Sequence, residues 1–63
     1  MALMQIYDGL ENPPKLLERH SAQTVGELVR QADALSEKER AQGYPRNTYI
    51  VYNNDGERVY QRW

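Results

Sequence analysis

The stretch Thr24-Val25-Gly26-Glu27 constrains this chain more than any other, because it fixes where its one substantial helix begins. The S/T-x-x-E spacing is that of a capping box. Thr24 can accept from the amide of the third helical residue, and the Glu27 side chain can reach back to the Thr24 amide. Apolar residues then recur at Val25, Leu28, Val29, Ala32 and Leu35, which is one stripe of an α-helix. Arg30, Gln31, Asp33 and Glu37 fall off that stripe. Ser36-Glu37-Lys38-Glu39 repeats the cap spacing, so a bend or restart is expected near Ser36. Gly43 and Pro45 are expected to end the helix.

Strand signals flank this helix. Residues 2 to 7, Ala-Leu-Met-Gln-Ile-Tyr, are compatible with a strand, and Asp8-Gly9 is a turn signal. Residues 10 to 15 read as a loop, since Pro13 and Pro14 remove consecutive backbone donors. Residues 15 to 21 read as a short strand returning beside the first, or as a helical turn; a lone first strand needs a partner, which favours the strand. At the other end, Thr48-Tyr49-Ile50-Val51-Tyr52 and Glu57-Arg58-Val59-Tyr60-Gln61-Arg62-Trp63 flank Asn53-Asn54-Asp55-Gly56, a hairpin signature. The expected fold class is α+β: a small antiparallel sheet in order ββαββ, or βαββ as the fallback, with one helix packed on one face. The whole chain, residues 1 to 63, reads as a single domain.

The turn decides which side chains share a face. A type I turn with Gly56 left-handed would pair Val51 with Val59, Ile50 with Tyr60 and Tyr52 with Arg58. One face then carries Tyr49, Val51, Val59, Gln61 and Trp63, and the other Ile50, Tyr52, Arg58, Tyr60 and Arg62. A tighter Asp55-Gly56 turn would pair Tyr52 with Val59 and shift one strand's faces against the other. One helix covers one face of a small sheet. The Val51/Val59 face is expected to meet Val25, Leu28, Val29 and Leu35, with Trp63 at its edge. Tyr52, Arg58, Tyr60 and Arg62 are then left to solvent. Tyrosine and arginine are enriched in interface hot spots, so these four are the candidate partner-binding residues. The plainer reading is cross-strand packing of tyrosines under stacked arginines, for stability alone.

Composition narrows the function classes. A chain of 63 residues buries only about 60% of its unfolded surface and has a thin core. Cysteine is absent, which removes disulfides and thiolate metal sites, and His20 is the one histidine. No metal and no cofactor are therefore expected. Ser21 follows His20 directly, but neighbouring strand residues point to opposite faces, which defeats a nucleophile–base pair. Asp8 and Glu11 lie at a turn, where solvated acids are ordinary. Gly9, Gly26, Gly43 and Gly56 have no phosphate-loop spacing. The chain is not expected to be an enzyme.

The formal charge is −1: residues 1 to 43 carry five basic and seven acidic groups, and residues 44 to 63 three and two. That is neither a strongly basic nucleic-acid binder nor a densely acidic mimic. No apolar run approaches the roughly 20 residues of a membrane span, and no basic stretch precedes the apolar N-terminal residues. No membrane association and a cytoplasmic location are expected.

Met4-Gln5-Ile6-Tyr7 and Thr24-Val25-Gly26-Glu27-Leu28-Val29 resemble the β-grasp, ubiquitin-like pattern of hairpin, helix and strands. The chain departs from it in ending at Trp63 without a Gly-Gly pair, so modifier activity is not carried over. The helix from Thr24 and the hairpin from Tyr49 to Trp63 also resemble, in size and layout, small anti-CRISPR proteins of phages and mobile elements. That resemblance implies a stoichiometric inhibitor occupying a surface of a nuclease or surveillance complex. The expected function is non-catalytic protein binding, as a phage- or plasmid-type inhibitor of a larger bacterial protein or ribonucleoprotein complex. The alternatives are a single-stranded nucleic-acid-binding module, with Tyr60 between Arg58 and Arg62 as its stacking platform, and an obligate homo-oligomer. The oligomeric state expected is monomer or small homo-oligomer.

Overall fold

A computed structural model describes residues 1–43 and 46–62. Four strands and one helix follow in the order β1 (Ala2–Asp8), β2 (Lys15–Ala22), α1 (Val25–Ala41), β3 (Asn47–Tyr52) and β4 (Arg58–Arg62). The strands form one sheet in spatial order β2-β1-β3-β4, with every neighbouring pair antiparallel. The helix lies on one face, so the ββαββ expectation holds, and residues 15 to 21 are a strand. β2 and β3 both flank β1, and the helix carries the chain across it between them.

Alternation along β1 divides the two faces. Ala2, Met4, Ile6 and Asp8 are buried toward the helix, whereas Leu3, Gln5 and Tyr7 point the other way and are half-buried. Opposite residues of paired strands share a face. Val51 and Tyr49, which face Met4 and Ile6, therefore join the buried side. The core comprises Ala2, Met4, Ile6, Ala22, Leu28, Ala32, Tyr49 and Val51, with Val25 and Tyr60 packed against it.

The helix begins where expected. Thr24 is extended and its Oγ1 accepts from the Glu27 amide at 3.3 Å. It then runs unbroken for 17 residues through Ser36. Its innermost row is Leu28, Ala32 and Ser36 rather than the row ending at Leu35, which is 37% exposed. The i, i+4 spacing of that row presents two small residues to the sheet after Leu28. Small side chains there let the helix sit close over Met4, Ile6 and Val51. The helix closes at Gln42, and Gly43 follows at φ 141°, a conformation that favours glycine. The Pro45 stop lies outside the described residues.

The β3–β4 turn has the expected form. Gly56 donates to the Asn53 carbonyl at 3.1 Å with φ 81°, and Asn53 Oδ1 accepts from the amides of Asp55 and Glu57, each at 2.9 Å. Beyond it the expected register is corrected. Tyr52 does face Arg58, but Val51 faces Tyr60, Ile50 faces Gln61 and Tyr49 faces Arg62. Val59 is the extra residue of a β-bulge and is 48% exposed, so it does not join Val51 in the core. A second bulge interrupts β2 opposite Ile6 and Tyr7, with Leu17 as its extra residue. Both edge strands are thus irregular, which limits edge-to-edge pairing.

Two substitutions test this core. Leu28→Ala should cost about 2–5 kcal/mol in urea unfolding, whereas Leu35→Ala at its exposed site should cost well under ~2 kcal/mol. Equal losses would contradict the Leu28-Ala32-Ser36 row. The Ser36 hydroxyl is buried with no hydrogen-bond partner among the described residues. Ser36→Ala should therefore hold or raise stability, by up to ~3 kcal/mol, since an orphaned polar group is removed. A loss of stability would show that the hydroxyl is bonded.

Candidate binding face

The bulge at Val59 redistributes the four residues expected to share one face. Tyr52 and Arg58 lie on the face away from the helix. Tyr60 and Arg62 lie on the helix side, opposite Val51 and Tyr49. Expecting the four to form one solvent-facing cluster is therefore corrected, because the extra residue reverses the alternation of β4 after Arg58. The expected contribution of Trp63 lies outside the described residues.

On the helix side, Tyr60 and Arg62 are engaged. The Tyr60 hydroxyl donates to Asp33 Oδ1, Arg62 Nη1 donates to the same oxygen at 2.9 Å, and Arg62 Nη2 donates to Glu37 Oε1. The Tyr60 hydrogen bond, then that of Arg62, hold the Asp33 carboxyl below its ordinary value. The bond to Asp33 raises the Tyr60 phenol, and the bonds to Asp33 and Glu37 raise the Arg62 guanidinium.

Two further clasps join helix, loop and sheet. Glu39 accepts from the Tyr49 hydroxyl at 3.0 Å, from the Asn47 amide at 2.9 Å and from the Arg46 amide. Burial, reinforced by the Glu39 bond, pushes the Tyr49 phenol up to about 12. Asp8, buried at the end of β1, accepts from Arg46 Nη2 at 2.8 Å and from the Leu10 amide at 3.0 Å. The Arg46 bond, then the Leu10 bond, lower its carboxyl.

The opposite face of the sheet has no layer over it among the described residues. Register places its side chains in three rows across the strands. Ser21, Leu3, Tyr52 and Arg58 form the first; Arg19, Gln5, Ile50 and Gln61 the second; Leu16, Tyr7 and Thr48 the third. Arg58 Nη1 donates to Gln61 Oε1 at 3.2 Å, and the Tyr7 hydroxyl donates to Gln5 Oε1 at 2.9 Å, so the rows are tied along the strands. Two shallow depressions mark the face. One lies by Leu3, Gln5, Tyr52 and Asn53, the other by Tyr7, Pro14, Thr48 and Ile50.

None of the strand positions on this open face is a carboxylate. Of the nine acids, Asp8 and Glu18 sit on the helix side of their strands, Glu27, Asp33, Glu37 and Glu39 on the helix, and Glu11, Asp55 and Glu57 in loops. Sequence reasoning missed Leu3, Gln5, Tyr7 and Arg19 as members of this face. Their signal was the strict alternation of Ala2, Met4 and Ile6 with Leu3, Gln5 and Tyr7. Its meaning depends on β1 being an interior strand.

His20 Nε2 lies 3.5 Å from Glu18 Oε1. Among the described residues no group of three or more acidic, histidine or cysteine side chains is placed to hold a metal ion. No helix there is long and apolar enough to cross a membrane.

Arg62→Ala should lower the melting temperature at neutral pH, because it removes the guanidinium that ties Asp33 and Glu37 to β4, whereas Arg58→Ala should leave it nearly unchanged. The Arg62→Ala loss should shrink in acid. Asp33 has a lowered carboxyl value, so its contribution is present above the ordinary 3.8 and is lost as pH falls below it. Melting curves of both variants at neutral and strongly acidic pH check this. Equal effects of the two substitutions would return Arg62 to the open face.

No family model, no curated protein and no solved structure matches the chain.

Proposed function

We propose that the chain is a non-catalytic binding module that docks on a larger bacterial protein or ribonucleoprotein complex and inhibits it by occupying a surface, as a phage- or plasmid-type accessory protein does. The docking surface in this reading is the open face of the sheet. What supports it is the composition of that face. Leu3, Tyr7, Ile50 and Tyr52 form its middle on the two interior strands, with Arg19 and Arg58 on the edge strands and no carboxylate among them. Tyrosine and arginine favour interface hot spots, whereas acids are depleted there. Tyr60 and Arg62 leave the expected site in this reading, since Asp33 and Glu37 occupy them. Tyr52 and Arg58 remain in it.

Affinity capture from bacterial lysate, wild type beside Tyr52→Ala/Arg58→Ala, tests the proposal. The double variant should keep the wild-type fold by circular dichroism and lose the stoichiometric partner that the wild type retains. Equal capture by both would overturn the open face as the docking surface.

A further inference from the structure

The charge layout of the open face restricts what can lie on it. Its two charged positions are Arg19 on β2 and Arg58 on β4, at opposite edges of the sheet. A second copy pairing face to face would meet these arginines with a surface that offers no strand carboxylate, so self-association through this face has no charge complement. An anion long enough to span the sheet would satisfy both arginines. Between the arginines, the interior strands β1 and β3 carry Tyr7 and Tyr52, with Gln5, Gln61, Thr48 and Ser21 around them as hydrogen-bonding groups.

We infer that the open face is a platform for single-stranded nucleic acid, with bases stacked on Tyr7 and Tyr52 and backbone phosphates at Arg19 and Arg58. This rests on the reading of the open face as the docking surface and narrows its partner to the ribonucleoprotein case, with an exposed single strand as the part met. Tyr52 stands opposite Leu3, so Tyr7 lies four positions further along the sheet, roughly 14 Å at the rise of an antiparallel strand. Stacked bases are only about 3.4 Å apart. Bases seated on both rings are therefore splayed, which a single strand allows and a duplex does not. The Gln5 and Gln61 amides, in the row between the rings, can meet exposed base edges. An acidic protein surface would satisfy the arginines as well. An exposed single strand of a ribonucleoprotein partner would meet the arginines with its phosphates and the rings with its bases at once, and it is the occupant inferred for this face.

The experiment is fluorescence anisotropy of labelled oligo(dT) and oligo(U) of about 12 nucleotides, a length within the site sizes of small single-strand binders, against a duplex control. Two phosphate contacts predict a slope of log affinity against log salt of about −1.4, or about a sevenfold loss between ~50 and ~200 mM salt. Arg19→Gln/Arg58→Gln, at exposed positions that do not threaten folding, should bring that slope close to zero. Tyr52→Ala should weaken binding about 5- to 150-fold, the effect of one stacked base. Arg30→Gln, on the helix, should change neither. Absence of oligonucleotide binding at ~50 mM salt, or binding whose slope survives the double arginine variant, overturns the inference. If oligonucleotides fail while Tyr52→Ala/Arg58→Ala still abolishes capture of a nuclease-resistant protein complex, the occupant is an acidic protein and only this inference falls. If neither assay responds to the open-face variants, the docking reading falls with it.

Discussion

One helix can cover one face of a four-stranded sheet, and every other feature of this chain adjusts to that limit. Leu28 and Ala32 share one core cluster with Met4, Ile6 and Val51, and Ser36 is buried one turn further along the helix. Their short row leaves the sheet's edge strand β4 only partly under the helix. The bulge at Val59 fits β4 to this arrangement. It turns Tyr60 and Arg62 inward, where Asp33 and Glu37 are waiting on the helix, and leaves Tyr52 and Arg58 outward. Without the extra residue, Asp33 would lose its partners and two large polar side chains would join the open face.

The polar border between helix and sheet does much of the fastening that a larger apolar core would do elsewhere. Asp33 is held by Tyr60 and Arg62, Glu39 by Tyr49 and the start of β3, and Asp8 by Arg46 and Leu10. The Asp33 clasp and the Asp8–Arg46 pair join segments far apart in sequence, and the Glu39 clasp ties the helix to the strand that follows it. Exposed ion pairs contribute little singly. Their value here lies in fixing the register of the helix over a thin core. The same arrangement gathers six of the nine acids on the helix side and leaves the open face with arginines only as its charges.

Much of the fold was legible in the residues. The Thr24 cap and the Asn53–Gly56 turn follow from local chemistry that the structure reproduces, whereas residues 15 to 21 were ambiguous locally and favoured as a strand only because a lone first strand needs a partner. The end of the helix stripe was misread, because Leu35 outranks Ser36 in hydrophobicity while position 36 continues the i, i+4 row that starts at Leu28. The face assignment of Tyr60 and Arg62 was not legible, because a bulge carries no composition signal at Val59, a good strand residue. Its cause is tertiary: Asp33 and Glu37 lie 27 and 25 residues away from their partners in β4. Six of the eleven open-face positions lie on β1 and β2. That strand order places β1 in the interior only once the helix has carried β3 to its far side.

The register of β4 decides which residues the open face presents. Two-dimensional nuclear Overhauser spectra of the labelled protein test it directly. Backbone contacts between Val51 and Tyr60 and between Tyr49 and Arg62 are expected, together with contacts from the Tyr60 ring to the Asp33 methylene. Contacts of Val51 with Val59 and of Ile50 with Tyr60, with the Tyr60 ring distant from the helix, would contradict it and restore Tyr60 and Arg62 to the open face.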